Sequence, residues 1–130
     1  MSKPETERYA RQIPIIGVKG QRRLSTASVL IVGVGGLGSA VALYLTAMGV
    51  GKLILIDDGS VELSNLNRQI LYSLQDLGLK KVEVARSRLR ELNPHVTIET
   101  YDQRLDEVLA IELVKRVDVA VDALDNWESR

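Results

Sequence analysis

A short set of glycines, acids, amides and cations carries the chemistry open to this sequence. Gly33-Val34-Gly35-Gly36-Leu37-Gly38 follows the apolar run Val29 to Val32 and precedes a helical run, Ser39 to Met48. Between a strand and a helix, G-x-G-x-x-G reads as a phosphate-binding turn. Gly33 allows a tight turn, Gly35 lets the backbone approach a phosphate, and Gly38 lets the helix press on the strand. Unpaired N–H groups and the dipole at the helix start favour an anion there. Asp57 ends the next apolar run, Leu53 to Ile56. It stands about 20 residues past the glycines, where a carboxylate can accept hydrogen bonds from a ribose. The glycines could serve helix–strand packing alone. The strand–helix–strand–acid order favours a bound nucleotide.

Asn65, Arg68, Lys81 and Asp125 add polar groups expected near the same crevice. A nicotinamide site needs an apolar slot and few cations beyond the pyrophosphate. Arg68 and Lys81 suit a triphosphate better, because they can neutralise charge on a pentavalent phosphorus and on departing pyrophosphate. Asp125 could hold a magnesium ion (Mg2+) across the phosphates, since that ion takes hard oxygen ligands. No segment matches G-x-x-x-x-G-K-[ST], so a Walker-type loop is absent. Taken alone, each residue has a plainer reading. Lys81 falls in the first turn of a helix, where the dipole disfavours a cation, and is either a solvated lysine or one serving an anion. Val61 to Gln69 could be a polar loop with a surface arginine. His95, the one histidine, reads as solvated or capping.

The elements that must position these residues follow from pattern. Strands are expected at Val29–Val32, Lys52–Ile56, Val96–Tyr101 and Val117–Val121. Leu37, Val41, Leu45 and Met48 recur at helical spacing, with Gly49 and Gly51 as C-caps and Tyr44 as a packing residue. Val82, Ala85, Leu89 and Leu92 give a second amphipathic helix over Lys80–Leu92, stopped by Asn93-Pro94. Asp106 is placed to cap a third, Glu107 to Lys115, and Trp127 to Arg130 looks like the opening of a fourth. Ser64 could cap a short helix containing Arg68 and Leu71. Near the start, Glu5 to Arg11 could be a short helix with Pro4 early in it. Pro14 breaks the pattern, Gly17 and Gly20 mark turns, and Gln21 to Leu24 adds a helical turn. Arg8-Tyr9-Ala10-Arg11-Gln12 reads as a basic arm that could lie on a partner chain.

This alternation predicts an α/β, Rossmann-like doubly wound, mainly parallel sheet in the order 3-2-1-4. Residues 1–130 are expected to form a single nucleotide-binding domain, of which 1–25 is an N-terminal helical arm. The 130 residues, 45% hydrophobic, suit one domain with a core. Zero formal net charge argues against a long-range field for nucleic acid or an anionic membrane. With no cysteine, disulfides, thiolate zinc sites and a cysteine nucleophile are excluded in this chain. Neither a secretory signal nor an apolar run of membrane-spanning length is expected, and the default location is the cytoplasm.

In order along the chain, Arg8-Tyr9-Ala10-Arg11-Gln12, the glycine turn, Asp57, Leu63-Ser64-Asn65-Leu66-Asn67-Arg68-Gln69, Gly78-Leu79-Lys80-Lys81, Asn93-Pro94 and Asp122-Ala123-Leu124-Asp125-Asn126 form a specific signature. With these the chain resembles the ubiquitin-activating-like adenylating enzymes, in particular the ThiF, MoeB and HesA group, over nearly its whole length. The resemblance implies ATP and Mg2+ as cofactors, and adenylation of the C-terminal glycine of a ubiquitin-like or sulfur-carrier protein (ThiS/MoaD-like), with release of pyrophosphate. It implies that Gly36 lies against the nucleotide and that Asp57 holds the ribose. It puts Asn65, Arg68 and Lys81 on the phosphates, and Asp125, followed by Asn126, beside the magnesium-bound triphosphate. Arg11 resembles the arginine given across a homodimer to the partner's ATP. Gly33, Gly35, Gly36 and Gly38 complete the cofactor-binding set, and Arg11, Arg68, Lys81 and Asp125 the catalytic one.

Two departures from the family pattern stand out. Asp57-Asp58-Gly59 replaces the usual Asp-x-Asp. Family members also continue well past the Asp-Asn turn, so the chain is expected to be a fragment or a shortened protein, with an unpaired apolar edge at strand four. The alternatives are an NAD- or FAD-binding Rossmann oxidoreductase, and a non-catalytic module that binds nucleotide or only dimerises. The sequence does not name the carrier or its pathway.

Overall fold

The computed structural model describes residues 1–124. Asp125, Asn126 and the helical opening expected over 127–130 lie outside the described residues. The elements run α1 (Lys3–Arg8), α2 (Ile13–Thr26), β1 (Ser28–Val32), α3 (Gly36–Met48), β2 (Lys52–Ile56), α4 (Lys81–Leu92), β3 (Thr97–Tyr101), α5 (Glu107–Val114) and β4 (Val119–Asp122). The four strands form one parallel sheet in the order β3-β2-β1-β4, as expected. Ile31 pairs with Leu55 on one side and Val121 on the other, and Leu55 pairs with Thr100.

The two central strands are continuous apolar runs because both of their faces are covered. Their side chains alternate between two cores. Val29, Ile31, Leu53 and Leu55 enter the larger, with Ala42 of α3, and Val82, Ala85 and Leu89 of α4. Leu30, Val32, Ile54 and Ile56 enter the smaller, closed by Leu113 of α5.

Helix α3 departs from its expected stripe. Gly38, Ser39, Ala42 and Thr46 are its buried residues, whereas Leu37, Tyr44 and Met48 are exposed. Small residues on the inner side let the helix axis come close to the sheet. Gly49 ends the helix in the left-handed region (φ 90°), as expected of a C-cap. Gly51 is not a second cap. It leads into β2, and a Cβ there would strike the Ser25 carbonyl. On α4, Val84 replaces Leu92 in the buried set.

The N-terminal stretch differs most from expectation. Pro14 begins α2 rather than breaking a helix, since the first turn of a helix has N–H groups without partners and proline lacks one. Gly17 (φ 76°, ψ 165°) kinks α2, and Gly20 is helical within it. Tyr9 is buried in its own chain, where its hydroxyl accepts a 2.8 Å hydrogen bond from Asn93 Nδ2. Asn93 Nδ2 also donates to the Thr46 carbonyl (2.9 Å), so the residue that stops α4 also fastens the arm. Gln12 Nε2 donates to the Met48 carbonyl (2.7 Å) and an Arg8 guanidinium N–H to that of Leu92 (2.9 Å).

Candidate functional site: a cleft at the carboxyl ends of the strands

A cleft of about 990 Å³ opens where β1, β2 and β4 end. Gly33, Gly35, Gly36 and Leu37 line one wall; Asp57 and Asp58 follow β2. Asn65, Arg68, Gln69 and Lys81 come from the crossover and the start of α4, and Gln103, Arg104 and Leu105 from the loop after β3.

The glycine wall is shaped by contact. Gly33 has φ 94°, and a side chain there would meet the Ala123 carbonyl at 3.0 Å. Gly38 does not line the cleft. A Cβ on it would collide with the Gly33 carbonyl, so its work is close packing of α3 against the turn. Helix α3 starts at Gly36 with no side-chain cap, leaving its first-turn N–H groups to a ligand or to water.

The residue between the first two glycines is held at both ends. The Val34 N–H donates to Asp57 Oδ2 (2.9 Å), and the Val34 carbonyl accepts from the Tyr72 hydroxyl (2.6 Å). Burial, and then the Asp57 carboxylate, push the Tyr72 ionisation upward, which keeps it a donor. Asp57 Oδ1 also accepts from the Gly59 N–H (2.6 Å). Each Asp57 oxygen retains a lone pair for a further donor such as a ribose hydroxyl. A Cβ on Gly59 would stand 2.9 Å from Asp57 Oδ1, so glycine after Asp58 leaves this carboxylate uncrowded.

The crossover is not the helix expected after Ser64. Leu63–Asn65 is a single 3₁₀ turn, in which Asn65 Oδ1 accepts from the Glu62 N–H (2.8 Å). Arg68 lies in the turn that follows. It is exposed, and one guanidinium nitrogen donates to the Ser64 carbonyl (3.0 Å) and to Asn67 Oδ1 (2.9 Å). That steadies the group while leaving its charge unneutralised by any ion pair among the described residues. Lys81, in the first turn of α4, donates its backbone N–H to the Gly59 carbonyl (3.0 Å). The cleft thus combines two acids with three cations, a donor set suited to a polyanion. Among the described residues no three His, Cys, Asp or Glu side chains converge as a metal site would require.

Gly33, Gly35, Gly36, Asp57, Asn65, Arg68 and Lys81 are therefore brought together. Arg11 is exposed between α1 and α2 and does not line its own chain's cleft. Asp125 and Asn126 are outside the described residues. Sequence pattern does not single out Gln69 or the loop 103–105 as lining the cleft. A signal for that loop was available: with β3 beside β2, its carboxyl end faces the crevice common to all parallel strands. Gln69 directly follows Arg68, but side-chain type alone does not distinguish it from a solvated amide.

The sequence profile of the ThiF family matches residues 9–130. The chain is 47% identical over 131 residues to a sulfur carrier protein adenylyltransferase of Thermus thermophilus, covering 99% of this chain and 48% of that protein. It is 45% identical over 132 residues to a molybdopterin-synthase adenylyltransferase of Haemophilus influenzae, covering 100% and 54%. It therefore spans about half the length of these relatives. Among solved structures, the tRNA N6-threonylcarbamoyladenosine dehydratase of Escherichia coli in complex with ATP superposes with a TM-score of 0.91 at 29% identity, covering 96% of this chain and 52% of that one.

Proposed function

The chain belongs to the ThiF family, and from that premise we propose that it is the nucleotide-binding part of an adenylyltransferase acting on a sulfur-carrier or ubiquitin-like protein. One observation carries the reading: the glycine turn, Asp57, Arg68 and Lys81 line a single cleft. The greater identity to carrier-protein adenylyltransferases than to the tRNA-modifying dehydratase favours a protein carboxylate as the substrate.

In this reading ATP lies with its ribose on Asp57 and its phosphates between the start of α3 and the cations. A carboxylate oxygen of the carrier's C-terminal glycine attacks the α-phosphorus. The bond from that phosphorus to the bridging oxygen breaks, pyrophosphate leaves, and an acyl-adenylate remains. No side-chain nucleophile is required. Arg68, Lys81 and Asn65 hold the phosphates in line and stabilise charge on the phosphorus and on the leaving group. Asp125 is the acid we assign to a magnesium ion, which would supply further charge neutralisation to the triphosphate. Arg11, exposed on a fastened arm, is assigned to the ATP of a second copy in a homodimer, and the protein to the cytoplasm.

The test is carrier-dependent exchange of labelled pyrophosphate into ATP. Arg68→Ala should lower exchange at least about 100-fold, as loss of a charge-stabilising group does. A preference for NAD over ATP, or exchange unchanged in the variant, overturns the proposal.

A further inference from the structure

Gln69 is 2% exposed, and its Oε1 is buried with no hydrogen-bond partner among the described residues. Its Nε2 likewise has none, although its backbone N–H donates to the Asn65 carbonyl and its carbonyl accepts from Tyr72. A carboxamide whose oxygen is enclosed without a bond costs stability, and proteins retain few such groups, whereas the Nε2 of Gln69 is not fully enclosed. This one lines the cleft, with Nε2 3.6 Å from where a Cβ of Gly35 would stand. Gly35 has no such atom, so the amide faces open space beside the turn.

We infer that Gln69 is a phosphate-binding residue: Nε2 donates to a ligand phosphate oxygen over Gly35. This rests on the nucleotide reading of the cleft and extends it to a neutral donor between the glycine turn and Arg68. The two neighbours divide the work. Arg68 supplies charge at an exposed position, and Gln69 supplies one directed bond from a buried position that cannot swing away. A ligand lacking phosphate gains nothing from it.

The experiment compares ATP and adenosine binding by calorimetry, together with the melting temperature of the unliganded protein, for the wild type, Gln69→Met and Gln69→Glu. Methionine keeps the volume and removes both polar atoms; glutamate keeps the shape and replaces the donor by an anion. Gln69→Met should weaken ATP about tenfold or more, leave adenosine within about twofold, and hold or raise the melting temperature. Gln69→Glu should weaken ATP at least as much, again sparing adenosine. Unchanged ATP affinity in both variants, or equal losses for ATP and adenosine, overturns the assignment and leaves Gln69 as a packing residue. Failure of the wild type to prefer ATP over adenosine instead removes the nucleotide reading on which it rests.

Discussion

The two faces of the sheet are built differently. Helices α3 and α4 cover one face with sixteen buried residues in a single cluster, and even the crossover contributes Val61, Leu71 and Tyr72 to it. Among the described residues the other face has five, with α5 packed on them, and that helix leaves Val108 at 76% and Ile111 at 54% exposure. Strand β4 is mostly exposed, with Val119 at 55%. The cleft residues with the clearest chemistry, from the glycine turn to Lys81, all belong to elements of the well-covered face. The site is thus rooted in the face of the sheet that carries the larger buried cluster among the described residues.

The sharpest way to break this contrast is Gly38→Ala. The added methyl would collide with the Gly33 carbonyl, so either α3 or the turn must move. Destabilisation of about 3 kcal/mol or more is expected, with ATP affinity lost in parallel. A variant that melts like the wild type and binds ATP normally would show the turn to be softer than its packing implies. A paired truncation sharpens the contrast next. Leu89→Ala, in the larger core, should cost about 2–5 kcal/mol in denaturant unfolding, and Val108→Ala on α5 within about 0.5 kcal/mol. Similar losses at the two positions would mean that the face under α5 is covered after all.

The smallest effect concerns Glu99 at the β3 edge. The Arg116 guanidinium, against the opposing push of burial and helped by Tyr101 and Lys52, holds its carboxyl down at about 2. A depressed acid contributes stability that is full above its ordinary value of 4.5 and is lost as pH falls toward about 2. The pair is partly exposed, so Glu99→Gln should cost about 1 kcal/mol or less at pH 7 and much less near pH 2, where the carboxyl is half protonated. A cost that does not fall between pH 7 and pH 2 would locate the effect in packing rather than charge.

Most of the sheet is legible in the sequence because its signals are local. The apolar runs of β1 and β2, the Asp106 cap of α5, whose Oδ1 accepts from the Leu109 N–H (2.8 Å), and the strand–turn–helix at Gly33 all follow from adjacent residues. What escaped depends on distant partners. Tyr9 is buried because Asn93, 84 positions away, offers it a donor. The crossover from Leu63 to Tyr72 has no period, because its residues are placed one at a time by the turn they surround. Arg68 could be matched from its motif. The partnerless amide beside it could be seen only once the atoms around Gly35 were placed.

The grip of Asp57 and Tyr72 on Val34 has one more consequence. A mould fixed before anything is poured into it spends no ordering entropy at the moment of filling, so its contacts translate into affinity with little discount. The same stiffness makes it intolerant: a guest with the wrong curvature meets a wall that does not yield.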